Sequence, residues 1–247
     1  MAIDRDSASL ALARQRLIEF TSLVSFVQDN YRHLPRILKD VGLSRVDGVL
    51  LDLGMSSVQV DTAQRGFGFS KEGPLDMRMD PSQALTAETL INTLTAEELA
   101  MMLERFGEER FARRIAGHIV HERRHQRITT TTQLARLVAQ ALPPGARHGR
   151  THAATRTFQA LRITVNDELG ALEELLGCVG ELLSPGGRAV ILTYHSLEDR
   201  LVKRTFAEDE RSGRWTVLTN KPVRPTPHEV SKNPRARSAK LRAVERC

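Results

Sequence analysis

Three short polar clusters in this sequence hold residue types that can do chemistry: Asp4, Asp52-Leu-Gly54 and Tyr194-His-Ser196. Each follows an apolar run, so each falls where a strand should end. Open α/β sheets bind ligands at the carboxyl ends of their strands, and an acid there accepts hydrogen bonds from both hydroxyls of a ribose. Asp4 is placed for that role toward an adenosine-containing ligand. The other reading of Asp4 is a cap on the helix that begins near Ser7. Ser196, His195 and Asp199 do not make a hydrolase triad, because neighbours on one strand-to-helix turn cannot converge as nucleophile, base and orienting acid. Ser196 reads instead as a helix N-cap with Asp199 near the positive end of the dipole, which leaves His195 to face a ligand.

The elements that must position these clusters follow from periodicity. Leu10, Ala13, Leu17 and Phe20 mark a helix over residues 7–20, Leu23 to Val27 a short buried strand, and Leu34 to Val41 a helix stopped by Gly42. Val46 to Gly54 is an apolar strand ending in an acid and a glycine. Residues 55–81 are rich in Gly, Ser, Asp and Pro and have no period; a loop of that length is usually functional. From about residue 84 to 142 the pattern is helical only, with Thr95 as a cap, a break at Gly107, and a capping box of Thr130 with Gln133. Pro143-Pro-Gly145 ends it. The alternation then returns: a helix over 158–183, a turn at Ser184-Pro-Gly-Gly187, a strand over 188–194, a helix over 196–208, and strands over 215–218 and 239–244. Strands alternating with helices predict an α/β fold with a mostly parallel sheet. The domain is expected over residues 1–80 and 150–247, interrupted by an all-helical insertion over 81–149.

Bulk properties narrow the class. A chain of 247 residues with 40% hydrophobic and 27% charged residues can bury a core, which excludes wholesale disorder. No run of about 18 apolar residues is present to span a membrane, and the first residues lack a signal-peptide core. Two cysteines, Cys178 and Cys247, call for neither a disulfide framework nor a metal site, and the histidines have no ligand spacing, so a reducing cytoplasm fits. The net charge of +6 is uneven: residues 200–247 hold 13 Lys/Arg against 5 Asp/Glu. That excess points to a polyanionic partner, because phosphate contacts supply most nonspecific nucleic-acid affinity.

Seven longer stretches bear a resemblance. Asp52-Leu-Gly-Met-Ser-Ser57, Arg65-Gly-Phe67, Gly73-Pro-Leu-Asp-Met-Arg-Met-Asp-Pro81, Gly107-Glu-Glu-Arg-Phe111, Ala154-Thr-Arg-Thr-Phe-Gln-Ala160, His195-Ser-Leu-Glu-Asp-Arg200 and Asn233-Pro-Arg-Ala-Arg-Ser238 resemble the MraW/RsmH family in type and order. The resemblance covers residues 2–246. It implies a Rossmann-like class I methyltransferase sheet that transfers a methyl group from S-adenosyl-L-methionine to N4 of a cytidine in the decoding region of 16S rRNA. It also implies that Asp4 holds the ribose, that Tyr31 packs near the adenine where the family usually has Phe, and that Asp52 and Gln59 line the cofactor. Family members begin with a further segment holding a first strand and a Gly-Gly-His loop. This sequence starts just before the acid of the second strand, so a truncated chain with impaired cofactor binding is the expectation.

Cytidine N4 is a poor nucleophile because its lone pair is delocalised into the ring. Transfer therefore needs in-line positioning and an acceptor for the amino hydrogens. The candidates are Asp52, the carbonyls around Gly54, and His195; Ser56 and Ser57 either orient the base or cap a turn. Phe67, Phe69 and Tyr194 are candidate stacking partners for a splayed base. Arg156, Arg162, Arg200, Lys203, Arg204, Arg235, Arg237, Lys240 and Arg242 are the expected phosphate grip, with Arg113, Arg114, Arg123 and Arg124 from the helical insertion. Arg235 and Arg237 share a face if their stretch is extended. The rival reading is an RNA- or ribosome-binding protein that docks on the small subunit without methylating it; a methylase of DNA or protein amines is the third.

Overall fold

Residues 1–147 and 152–247 are described by the structure, a computed structural model. The chain forms two compact units: an α/β unit of residues 1–4, 22–54 and 169–247, and a helical unit of residues 5–21 and 55–168. The expected junction at residues 149 and 150 lies outside the described residues. Among the described residues no helix is long and apolar enough to cross a membrane.

In the α/β unit, β1 (Ala2–Asp4) and β2 (Phe26–Gln28) pair in parallel. β3 (Val46–Asp52) pairs in parallel with β4 (Leu183–Thr193). β5 (Trp215–Val217) follows β4 through the helix Ser196–Arg211, and β6 (Lys240–Arg246) runs antiparallel between β4 and β5. The order β3-β4-β6-β5 is therefore a mixed sheet, not a wholly parallel one. Burial alternates along β4, where Ala189, Ile191 and Thr193 face inward, as the period of two requires. Leu34, Leu38, Leu51, Leu175, Val202 and Phe206 bring the flanking helices and β3 into the same core. Each such side chain contributes roughly 1.5–3 kcal/mol on burial.

The helical unit has its own core, in which Leu99, Leu103, Ile115, Ile119, Leu134 and Leu161 are almost wholly buried. The helix Ala96–Gly107 opens on a full capping box of Thr95 with Glu98. It closes at Gly107, where a Cβ would lie 2.7 Å from the carbonyl oxygen of Arg156, so only glycine lets the helix Thr155–Asn166 come this close. Glu108 then turns left-handed at φ 48° and ends the helix. Thr130 accepts from the Gln133 N–H at the start of the helix Thr131–Ala141.

Four elements differ from expectation. The first helix stops at Arg16, followed by a 3-10 turn Ile18–Phe20; only Leu10 of its apolar side chains is buried, so no apolar stripe extends it. The strand after it is shifted to Phe26–Gln28, and Leu23 is 79% exposed. The single long helix divides at Asp167, φ 47°, into Thr155–Asn166 and Glu168–Leu182, because an Asn-Asp pair tolerates the left-handed region that other side chains avoid. Ser184–Gly187 is not a turn before β4 but a bulge inside it: Val46 pairs with Leu183 while Gly48 already pairs with Arg188.

Candidate active site

The parallel strands of the α/β unit deliver polar side chains at their carboxyl ends, as anticipated. Asp4 ends β1 in register with Gln28, and the Asp29 N–H donates to the Asp4 carbonyl at 3.2 Å. Asp4 is not the helix cap. That role belongs to Asp6, whose carboxylate accepts from the Ala8 N–H at 3.0 Å. Asp29 escaped the sequence reading, because the strand before it was expected to end at Val27 and not at Gln28. Its carboxylate accepts from the Asn30 N–H at 2.7 Å, lies 2.7 Å from His33 Nδ1 and takes a further bond from Arg36. Burial opposes ionisation of Asp29, but the bonds from His33 and Asn30 and the charges of His33 and Arg36 outweigh it and hold the carboxyl below its usual range. Tyr31 opens a 3-10 turn and is half-buried against the α/β core.

Asp52 ends β3, and its exposed carboxylate accepts from Tyr194 Oη at 2.7 Å, across from the end of β4. Burial, then the hydrogen bond and charge of Asp52, push the Tyr194 phenol well above its ordinary value, so it stays protonated and keeps donating. Gly54 follows at φ 91°, a conformation that favours glycine and turns the chain away from the strand end. Tyr194 is itself fixed, its N–H donating to the buried Glu198 carboxylate at 2.8 Å.

His195 sits differently from the sequence reading. It, and not Ser196, is the N-cap of Ser196–Arg211: its Nδ1 accepts from the Glu198 N–H at 3.4 Å, and Glu198 returns a bond to the His195 backbone. The imidazole is 9% exposed, with Nε2 lying 3.1 Å from Glu198 Oε1. Its acceptor nitrogen is committed to the helix end, which removes His195 from the amine acceptors. Ser56 caps the short helix Ser57–Asp61 in a box with Gln59. Gln59 is 4% exposed; its Oε1 accepts from the Ser56 N–H and its Nε2 donates to Asp6 at 2.7 Å, so both polar ends are used within the helical unit.

The basic residues divide sharply. Arg200, Lys203 and Arg204 are exposed at i, i+3 and i+4 of one helix and therefore share a face. Arg156 is exposed and donates to the Glu108 carbonyl at 3.2 Å. Arg162 does not belong to a phosphate grip: it is 8% exposed and holds Glu168 in a two-pronged bond of 2.8 and 2.9 Å. Lys240 and Arg242 are also withdrawn, since both bind Asp199 at 2.7 Å. Arg235 and Arg237 are exposed, but Pro234–Ser238 is a 3-10 turn with three residues per turn, so side chains two apart diverge and no face is shared. Of the aromatic candidates, Phe67 is in the helical core and Phe69 packs on Phe158 at 4.8 Å and His152 at 4.6 Å; Tyr194 alone stands at a strand end.

The acids at the ends of β1 and β3 are of a chemistry that can accept hydrogen bonds from ribose hydroxyls and from an amine. The chain matches the MraW methylase family over residues 1–247. It is similar to the proteins named ribosomal RNA small subunit methyltransferase H of Halothermothrix orenii, 46% identical over 261 residues, and Geobacter sulfurreducens, 47% identical over 261 residues. The same name belongs to a relative from Heliobacterium modesticaldum, 45% identical over 262 residues. Each alignment takes in 100% of this chain and 84% of the relative. On strand-end chemistry, whole-length match and identities of this size, the chain is a methyltransferase and belongs to the MraW methylase family.

Proposed function

We propose that this protein uses S-adenosyl-L-methionine to methylate N4 of a cytidine in the decoding region of 16S rRNA, acting on the small ribosomal subunit in the cytoplasm. The observation that carries the reading is the Asp52–Tyr194 pair at the adjoining carboxyl ends of β3 and β4. Its support from kinship is the name carried by relatives at about 45% identity. The bound donor supplies an electrophilic sulfonium methyl, with Asp4 as the ligand for its ribose.

The protein's share of the chemistry is to hold and polarise the amine. Asp52 accepts a hydrogen bond from the N4 amino group, which returns electron density to nitrogen as the N–C bond forms. The donor would supply the methyl group and depart as a neutral thioether, while the proton lost from N4 passes to the Asp52 carboxylate or to water. Tyr194 orients the carboxylate without neutralising it, because a phenol brings a hydrogen and no charge. The helical unit has the role of substrate recognition.

The test is methyl transfer from labelled S-adenosylmethionine to small subunits lacking the modification, followed by nucleoside analysis. Label in N4-methylcytidine is expected, and Asp52→Ala should lower turnover about a hundredfold, the loss typical of one transition-state hydrogen-bond partner. Subunit binding without label would favour a docking protein, and label on another nucleoside would replace the substrate.

A further inference from the structure

The helix Ala112–Glu122 of the helical unit has two unlike faces. Ala112, Ile115, Ala116 and Ile119 are fully buried. Opposite them Arg113, Arg114, Gly117 and His121 are exposed, and the chain continues the same stripe through Arg124 and His125. The His121 and His125 rings meet edge to face at 5.3 Å, which places the end of the stripe in line with its middle. From Arg113 to Arg124 the rise of a helix gives a track of about 16 Å.

Little on the unit offsets this charge. Arg113 is 91% exposed and reaches Glu104 only at 3.9 Å, a separation worth little in water. Glu122 turns to His118 at 3.9 Å, also loosely. Arg114 and Arg124 have no carboxylate partner among the described residues. Gly117 sits mid-helix, where glycine costs about 1 kcal/mol relative to alanine, and a Cβ there would meet nothing within 4 Å. The fold does not need this glycine. What it provides is a gap in the side-chain layer, where another molecule can approach the helix backbone between arginines.

We infer that the face of Arg113, Arg114, Gly117, His121 and Arg124 is a track for the phosphodiester backbone of RNA, engaging the substrate through residues other than those that do the chemistry. The inference rests on the reading of the substrate as ribosomal RNA. A membrane surface is disfavoured because the helix Ala112–Glu122 itself exposes no large apolar side chain to insert into lipid. Backbone contacts of this kind set register and affinity without reading sequence.

The test uses the full chain, a naked small-subunit rRNA fragment and assembled small subunits, titrated at several salt concentrations. Replacing Arg114 and Arg124 together by alanine should make the log–log salt slope shallower by about 1.4 on both ligands, since each single-stranded phosphate contact contributes about 0.7. Arg114→Lys with Arg124→Lys should retain the slope, and melting temperature should not move in either variant. An unchanged slope in the alanine variant overturns the track. A slope lost on subunits but kept on naked RNA also overturns it, because the partner is then an acidic protein. Methyl transfer by the wild type is scored separately: binding through the track without transfer refutes the enzymatic reading alone, and transfer with an unaltered slope refutes the track alone.

Discussion

Two carboxylate settings, one from each unit, stand in contrast. In the helical unit Glu168 and Asp6 are buried and held by guanidinium groups, Arg162 on the first and Arg65 on the second. Arg65 also donates to the carbonyls of Arg78 and Met79, while Asn166 binds the Met77 carbonyl and the Met79 N–H, so a loop with Met77 at φ 62° is pinned from several sides. In the α/β unit Asp52 is exposed and held by a neutral phenol. A guanidinium fixes a carboxylate and neutralises it; a phenol fixes the carboxylate and leaves its charge for a ligand. The chemistry of the orienting partner separates a framework acid from a reactive one more sharply than the acid itself does.

Breaking the buried side of this contrast should have the largest effect. Arg162→Ala leaves Glu168 buried and unneutralised and should cost about 3–5 kcal/mol, read by denaturant unfolding. Affinity for rRNA, measured on the folded fraction, should be unchanged, and a loss of salt slope there would return Arg162 to the RNA surface. Asp199 tests whether the α/β unit also has framework acids. Burial disfavours its charge, but the bonds from Arg242 and Lys240 more than offset that, so its carboxyl is held below its usual range. A lowered folded-state value stabilises the fold above the unfolded value near 3.8 and loses that contribution as pH falls through the folded one. Asp199→Asn should cost about 1–2 kcal/mol at neutral pH, and the difference from wild type should close in acid; a pH-independent difference would mean that the cost is packing. Tyr194→Phe should have the smallest effect, about 1 kcal/mol in the barrier, or roughly fivefold in turnover. Substrate affinity should hold, since the carboxylate stays charged, whereas a fall as deep as that of Asp52→Ala would make the phenol a direct partner of the substrate.

Much of this was legible in the chain, and the failures share a cause. Val46–Asp52, Leu34–Asp40, the Thr95 cap and the Gly107 break follow from local chemistry, and local chemistry decides them. Asp52 and Tyr194 were legible as strand ends but not as a pair, because their hydrogen bond spans 142 residues. Arg162 was misread because a guanidinium six residues before a glutamate gives no sign that the intervening Asp167 will turn left-handed and fold one onto the other. His195 was misread because Ser is the commoner cap, and only the buried Glu198 shows which residue closes the box.

The place of β6 bears on how the protein is made. β4 and β5 are neighbours only through β6, which pairs with both. A nascent chain that has delivered everything through Val217 therefore has a β4 edge with nothing to pair against and a β5 with no partner. The tether of Asp199 to Lys240 and Arg242 is also unmade at that stage. The helical unit, complete by residue 168, can close while the α/β unit waits for Arg246 to leave the exit tunnel. Until then the strands on either side of the missing one are exposed to whatever else in the cell offers a strand edge.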